Sequence, residues 1–238
     1  MPRHEAPLTG RGRPLTALLD TLGVAVDAEL FDLALIHRSY SYENGQIPHN
    51  ERLEFLGDAV LGEVVTEHLY TTFPEASEGR LAKLRAAVVS AVSLAEVARG
   101  LGLGPLIKLG KGEMATGGCD KTSILADTLE ALIGAMYLTA PEGAQAFVRH
   151  LFVPLIERAS GLGAGLDWKT SLQEICSVQG LEAPIYMVDE SGPDHLKQFS
   201  ARVLLGDQEF PAGRGRSKKK AEQEAARQAF RAVQGSPG

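Results

Sequence analysis

The sequence has few cysteines, no long apolar run and no excess of positive charge. Its two cysteines, Cys119 and Cys176, lie far apart and outside any Cys-x-x-Cys pair, which argues against a disulfide framework and a cysteine zinc site. No apolar stretch approaches the roughly 18–20 residues of a spanning helix, and MPRHEAPLTGRGRP has Arg and Pro where a secretory signal has its apolar core. We therefore expect a cytoplasmic protein with reduced thiols and no membrane contact.

The charge is distributed unevenly along the chain. The formal net charge is −6, whereas affinity for a polyanion normally comes from clustered Lys and Arg. From Asp167 to the end there are ten basic and ten acidic side chains, so residues 1–166 carry the whole −6. An acidic first part and a balanced second part argue against a protein that coats nucleic acid along its whole length.

The first part of the chain is predicted to be all-α. Residues 1–14 lack apolar periodicity and are expected to form a flexible arm. Apolar spacings of three and four over residues 15–158 indicate helices. The clearest of these segments are Leu30–His37, Glu51–Tyr70, Leu81–Leu101, Ser123–Thr139 and Glu142–Ile156.

A second domain is expected after a short linker, since 238 residues exceed one typical domain of roughly 100–150 residues. The small residues of ASGLGAGL, 159–166, have the composition of a linker. Over residues 167–236 the order of predicted elements is α-β-β-β-α, an α+β domain. They are a helix at Thr170–Gln179, strands near Ile185–Glu190, Phe199–Leu205 and Gln208–Ala212, and a helix at Ser217–Val233.

Two apolar helices carry rows of carboxylates. In NERLEFLGDAVLGEVV, residues 50–65, Glu51, Glu54 and Asp58 are spaced i, i+3 and i+7, which places them within roughly a 60° arc of one helix face. Asp127 and Glu130 follow at i, i+3 in SILADTLEALIGAMY. The apolar residues around them make these positions costly for charge.

Carboxylates placed in this way usually have a compensating cation. Two of them about 4 Å apart repel by about 4 kcal/mol at an effective dielectric near 20, which is a large part of a domain's stability. Hard oxygen ligands without nearby His or Cys indicate Mg²⁺, or Mn²⁺ in its place. Such an ion suits phosphodiester hydrolysis, since it activates water and neutralises phosphate. Alternatively the acids form a solvated face or salt bridges, with Arg52 and Lys121 as candidate partners.

These segments resemble the ribonuclease III family. ERLEFLGDAV at 51–60 is similar to the family signature almost letter for letter. The similarity continues in HRSY at 37–40, in Asn50, in GRLAKLRAAVVS at 79–90 and in residues 123–137. Together with the C-terminal half, the resemblance covers nearly the whole chain.

The resemblance assigns roles to individual residues. The acids that it implies as metal ligands are Glu54, Asp58, Asp127 and Glu130. It also implies that Asp58 and Glu130 are catalytic. Glu51 matches an accessory acid, and Glu78 matches an acid near the cleavage region or is simply a solvated loop acid. Phe55 matches a residue that inserts into a dimer partner, or is an ordinary core phenylalanine.

The C-terminal domain resembles the double-stranded-RNA-binding domain. GRGRSKKKAEQEAARQAF at 213–230 is similar to that family's most characteristic stretch. Lys218, Lys219 and Lys220, preceded by Arg216, begin a helix, so their charges and its positive end can meet phosphates together. The alternative is a solvated lysine face. Small residues would let this helix pack closely on a sheet, namely Ala221, Ala225, Ala226 and Ala229.

The same resemblance implies two contacts in the minor groove of RNA, where 2′-hydroxyls are displayed. Thr170, Gln173 and Glu174 in DWKTSLQEI match the contact from the first helix. His195 in GPDHLKQF, 192–199, matches the contact from the loop between the first two strands, although a plain surface histidine is the alternative. Glu222 departs from the family pattern, in which this helix position is often lysine.

The resemblance as a whole implies a homodimeric, Mg²⁺-dependent endoribonuclease. It cuts double-stranded RNA, leaves 5′-phosphate and 3′-hydroxyl ends with short 3′ overhangs, and processes precursor rRNA, mRNA and other structured RNAs. A non-catalytic regulator that binds double-stranded RNA is the alternative, and loss of an acid at position 54, 58, 127 or 130 would have favoured it; none is lost. A structural helical protein would not explain the attached RNA-binding module.

Overall fold

The computed structural model describes residues 13–161, 167–193 and 196–235. The chain divides into two compact units, Met1–Gly165 and Leu166–Gly238, each with its own hydrophobic core. Within the described ranges, no helix has the length and apolar character that crossing a membrane requires. Position 195 lies outside these ranges, as do most of the predicted arm and most of the predicted linker.

The described part of the first unit is built from helices and two short 3-10 turns, Gly104–Leu106 and Gly118–Asp120. The helices are α1 (Arg13–Leu22), α2 (Ala28–Ala34), α3 (Arg38–Glu43), α4 (Glu51–Thr72), α5 (Glu78–Val88), α6 (Ala91–Gly100), α7 (Lys111–Ala115), α8 (Thr122–Thr139) and α9 (Pro141–Gly161). The all-α prediction is therefore confirmed for this unit.

Helix α8 lies at the centre of the first unit. Its side chains Leu125, Leu129, Leu132 and Ile133 are at most 1% exposed, and a helix that is apolar on nearly every face is most stable in the interior. Helix α4 packs along it and buries Leu53, Val60, Leu61, Val64, Val65 and Leu69. The two acid-bearing segments therefore lie on adjacent helices of the core.

Two glycines let the backbones of α4 and α8 touch. A Cβ atom added to Gly57 would lie 1.7 Å from the carbonyl oxygen of Glu130, and one added to Gly134 would lie 2.3 Å from that of Leu53. Only a hydrogen atom fits at either position. This close approach brings the start of α4 beside the middle of α8, where the carboxylates of both helices project.

We expect Gly57→Ala to separate α4 from α8 and to weaken both folding and metal binding. Overpacking of this kind typically costs about 1–3 kcal/mol of unfolding free energy, occasionally more, and the contact here is with rigid backbone. Urea denaturation and magnesium titration would measure the two effects. Gly62→Ala is the matched control, because a Cβ at Gly62 on the same helix meets nothing within 4 Å and Ala gains about 1 kcal/mol in a helix.

The second unit has two helices on one face of an antiparallel sheet. Its elements are α10 (Trp168–Gln179), β1 (Ile185–Ser191), β2 (Gln198–Leu205), β3 (Gln208–Glu209), β4 (Gly213–Gly215) and α11 (Lys218–Gly235). All of β1 pairs with β2, which also pairs with β3 and β4 on its other side. The predicted α+β fold is confirmed, with its third strand divided into β3 and β4.

Small residues allow α11 to lie directly on the sheet, as the sequence predicts. The four alanines of the predicted contact are 0% exposed, namely Ala221, Ala225, Ala226 and Ala229. Opposite them, a Cβ at Gly213 would lie 2.2 Å from the backbone nitrogen of Ala225. The start of α11 is therefore held firmly against β4.

Some predicted elements end elsewhere than the sequence indicates. The predicted helix Leu81–Leu101 is two helices, because the Ser90 side chain accepts a hydrogen bond from the Ser93 N–H and caps α6. The predicted helix Leu30–His37 stops at Ala34 because His37 caps α3. The third strand breaks at Pro211, which has no N–H to donate to a ladder.

The limits of the predicted arm and linker also differ where the structure describes them. Arg13 and Pro14, assigned to the arm, begin α1, and proline is favoured at the start of a helix because its missing N–H is not needed there. Residues 159–161, assigned to the linker, form the last turn of α9. Ala159 packs against the core, which explains why the helix continues past Ile156.

Candidate active site and RNA-binding surface

Three carboxylates from two helices converge in the first unit. Glu54 of α4 and Asp127 and Glu130 of α8 each have an oxygen within 4.8 Å of an oxygen of the other two, and all three residues are partly buried. Asp58, one turn further along α4, is exposed and lies outside this group of three. The structure thus brings three of the four predicted ligands together and leaves Asp58 beside them.

Burial, and after it the charge of at least one neighbouring acid, raises the pKa of all three carboxyls. The pKa of Glu130 rises to about 8, chiefly through burial and then through the charges of Asp58, Asp127 and Glu54. Burial is also the largest cause of the raised pKa of Glu54 and of Asp127. The group is therefore short of positive charge, and its donors are all carboxylate oxygens, which fits a hard divalent cation.

Glu51 belongs to a different interaction from the three converging acids. Its carboxylate forms an ion pair with Arg38, with Nη1 3.6 Å from Oε1, and its other oxygen lies 3.9 Å from Nδ1 of His49. Lys121 pairs with Glu113 instead of with any of the five predicted acids. The salt bridges considered from the sequence, to Arg52 or Lys121, are thus not among those of the described residues.

An open cleft of about 1380 Å³ lies against one side of the carboxylate group. Glu54 and Asp127 line it on one side. The rest of the lining comes from α3 and its flanking loops, and from Glu51, Gly112, Glu113, Lys121, Ser123 and Ile124. Sequence reasoning missed Arg38, Tyr42 and Glu113 as parts of this surface. The spacing of Arg38 and Tyr42 at i, i+4 on one short helix is the only local signal that they share a wall.

Two further predicted residues lie outside the carboxylate group. Phe55 is 81% exposed, so the alternative reading as an ordinary core phenylalanine is wrong for the single chain. Glu78 is exposed in the first turn of α5, which Ser77 caps. Neither residue is among those that line the cleft.

The predicted RNA contacts of the second unit are accessible. Thr170, Gln173 and Glu174 are exposed on α10. The basic residues at the start of α11 are exposed as well, namely Arg216, Lys218, Lys219 and Lys220. Both sets of side chains can therefore reach a ligand in solvent, whereas His195 lies outside the described residues.

Glu222 links the two helices of the second unit. Its carboxylate is 2.8 Å from the ammonium of Lys169, and that ammonium lies 4.3 Å from the ring centre of Tyr186. The Gln223 amide donates to the Asp167 carboxylate at 2.8 Å, which adds a second link between α11 and α10. The departure of Glu222 from the usual lysine is thus explained by a partly buried pair with Lys169.

Comparison with known proteins identifies both units. Residues 27–156 match the family described as Ribonuclease-III-like, and residues 168–233 match the double-stranded RNA binding motif. The chain is 60% identical to Ribonuclease 3 of Thermobifida fusca over 215 residues, 90% of each chain. It is 57% identical to Ribonuclease 3 of Mycobacterium tuberculosis over 221 residues, 91% of this chain and 92% of the relative.

A solved structure resembles the first unit. It is the nuclease domain of ribonuclease III from Campylobacter jejuni, with a TM-score of 0.51 and 42% identity over 59% of this chain and 94% of that chain. A helical nuclease domain with carboxylates that could hold a metal ion, joined to a module for double-stranded RNA, defines a metal-dependent endoribonuclease. The chain belongs to the ribonuclease III family.

Proposed function

We propose that this protein hydrolyses phosphodiester bonds of double-stranded RNA with Mg²⁺, leaving 5′-phosphate and 3′-hydroxyl ends and short 3′ overhangs. The observation that carries the proposal is the convergence of Glu54, Asp127 and Glu130 at a cleft of a chain that also has a double-stranded RNA binding motif. Small oxygen-only sites of this kind suit Mg²⁺, and Mn²⁺ is the expected substitute.

The positions of the carboxylates suggest which of them bind the cation and which are catalytic. Glu54, Asp127 and Glu130 hold the cation, because their oxygens already converge. The charge of exposed Asp58 raises the pKa of Glu130. We assign Asp58 and Glu130 to the catalytic pair that binds and orients the reacting groups. When bound, the cation lowers the pKa of a water and stabilises the charge that develops on the phosphate.

The active protein is proposed to be a homodimer with one carboxylate group in each subunit. The nuclease domain of ribonuclease III from Campylobacter jejuni has a structurally flexible region involved in dimer formation. In this chain the 81% exposed ring of Phe55 is an aromatic side chain that a second subunit would cover, because burial of a phenylalanine gains about 1.5–3 kcal/mol. Two such groups would cut the two strands of one duplex.

The second unit supplies affinity for the duplex. Thr170, Gln173, Glu174 and His195 are assigned to the minor groove, and Arg216 with Lys218–Lys220 to phosphates. The proposed nuclease domain covers residues 13–161, so that it includes the whole of α1 and α9, and the proposed binding domain covers 167–236. The proposed substrates are precursor rRNA, mRNA and other structured RNAs in the cytoplasm.

Cleavage of an end-labelled RNA duplex of about 30 base pairs tests the proposal. We expect staggered cuts on both strands with Mg²⁺ or Mn²⁺ and none after chelation, since the cation activates the water and offsets the charge on the phosphate. A single-stranded RNA of the same sequence is the control and should stay intact. Tight duplex binding without cutting in either metal would favour the alternative, a non-catalytic RNA-binding regulator.

A further inference from the structure

One wall of the cleft presents a cation and an aromatic ring beside the acids. Arg38 follows the His37 cap of α3, and its side chain is 73% exposed. Tyr42, one turn later on α3, is 79% exposed, and both residues line the cleft that Glu54 and Asp127 also line. The positive charge of Arg38 opposes the rise in the pKa of Asp127 and of Glu54, which is consistent with a position close to both.

The guanidinium of Arg38 has N–H donors that its ion pair with Glu51 does not use. Its Nη1 is 3.6 Å from the Glu51 carboxylate, which is an ion pair too long to count as a hydrogen bond. Arginine has five N–H donors in a planar fork that matches two oxygens of a phosphate. Arg38 is therefore held in place by charge while its donors stay accessible from the cleft.

The pair itself contributes little to the stability of the fold. Glu51 is 48% exposed and Arg38 73%, and ion pairs between solvent-exposed groups have little effect on folding. Glu51 also lies outside the group of three converging acids, between Arg38 and His49. A carboxylate in this place fits a role in orienting the guanidinium rather than in holding the cation.

Resting on the proposed function, we propose that Arg38 binds a backbone phosphate of the RNA strand next to the bond that is cut, and that Glu51 is a positioning residue for Arg38. The cleft is otherwise acidic on the side of Glu54 and Asp127. Arg38 supplies the attraction that brings a phosphate into it. Tyr42 forms the adjacent part of the same wall.

Single-turnover cleavage with Arg38→Ala and Arg38→Lys tests the proposal. For Arg38→Ala we expect the RNA concentration at half-maximal rate to rise about 10- to 100-fold, the range for loss of a charged hydrogen bond, with the maximal rate changed less than about threefold. The slope of log affinity against log salt should fall by about one, as for the loss of one phosphate contact. Lys should restore part of the affinity, and Arg158→Ala, exposed on α9, is the control.

Substrates with one uncharged methylphosphonate at a time locate the contact. A methylphosphonate at one position near the cut should weaken RNA binding by the wild type. It should have no further effect on binding by Arg38→Ala, because the effects of changing two groups in contact are not additive. Glu51→Gln should likewise add nothing to Arg38→Ala and should leave the half-saturating Mg²⁺ concentration unchanged.

The outcomes separate this proposal from the proposed function. Unchanged half-saturation by RNA in Arg38→Ala, or a Glu51→Gln variant that needs more Mg²⁺, would overturn the roles of Arg38 and Glu51 while wild-type cleavage persists. If the wild type does not cut, the proposed function fails. Duplex binding measured in Ca²⁺ then still tests Arg38, since that measurement needs no cleavage.

Discussion

Replacing Glu130 with Gln is expected to abolish cleavage and to leave RNA binding intact. Glu130 is one of the three converging acids, and its pKa is raised to about 8 by burial and by the charges of Asp58, Asp127 and Glu54. Gln keeps the shape but removes the charge that holds a cation. We expect the single-turnover rate at saturating Mg²⁺ to fall about 10³-fold or more, as for loss of a central electrostatic contribution to catalysis.

The control for this variant is Glu157→Gln, a change of the same chemistry at an exposed position of α9. It should cleave like the wild type. Gel-shift titration with the 30-base-pair duplex in Ca²⁺ should give equal affinities for all three proteins. Cleavage by Glu130→Gln within about tenfold of the wild type would contradict the assignment of Glu130.

The same variant should be more stable than the wild type at high pH without metal. The folded-state pKa of Glu130 is about 8 against an ordinary 4.5. A raised pKa means that stability is fully present below pH 4.5 and is lost as the pH rises through 8. Gln has no such loss, so urea denaturation in a chelator at pH 9 should favour Glu130→Gln by about 2 kcal/mol, a value discounted for partial exposure. The difference should vanish below about pH 4.5, and Mg²⁺ should stabilise only the wild type.

Replacing Lys218, Lys219 and Lys220 together with Ala is expected to weaken duplex binding about 10²- to 10³-fold at physiological salt. The domain from Asp167 onward has equal numbers of basic and acidic side chains, so its attraction for RNA depends on where the cations lie. All three lysines are exposed at the first turn of α11. Loss of three phosphate contacts should also reduce the slope of log affinity against log salt by about three.

Folding and binding should respond in opposite directions to this triple substitution. Positive charge at the N-terminus of a helix is unfavourable because it opposes the helix dipole, and α11 packs through its alanines rather than through the lysines. The melting temperature should therefore stay constant or rise slightly while affinity falls. Arg231→Ala, exposed near the other end of α11, is the control. Unchanged affinity in the triple variant would show that the lysines are only a solvated face.

Local patterns predicted most of the fold but placed several boundaries wrongly. The period of α8 is unambiguous because nearly every face is apolar, and prediction and structure differ there by one residue. The break after Val88 was not predicted, because a serine is common at many positions and only the structure shows that the Ser90 side chain caps α6. The end of α2 was missed because it depends on Ile36 bridging to Lys108, far away in the sequence.

The candidate site shows the same division between local and distant information. Spacing at i, i+3 was enough to predict that Asp127 and Glu130 share a face. Spacing on α4 likewise grouped Glu51, Glu54 and Asp58, yet only Glu54 joins the acids of α8. The reason is the place at which α4 meets α8, with Gly57 against the backbone of Glu130, which no pattern within α4 contains.

By itself, the sequence determined the two domain types, the acid-bearing helices, the basic start of α11 and the family resemblance, because each depends on residues close together in the chain. The tertiary structure alone decided which carboxylates meet, since Gly57 and Gly134 set the approach of two helices far apart in sequence. It also paired Glu51 with Arg38 and Glu222 with Lys169. Those pairings are set by packing, because a charge has many possible partners in the sequence and only the folded core fixes which one lies within reach.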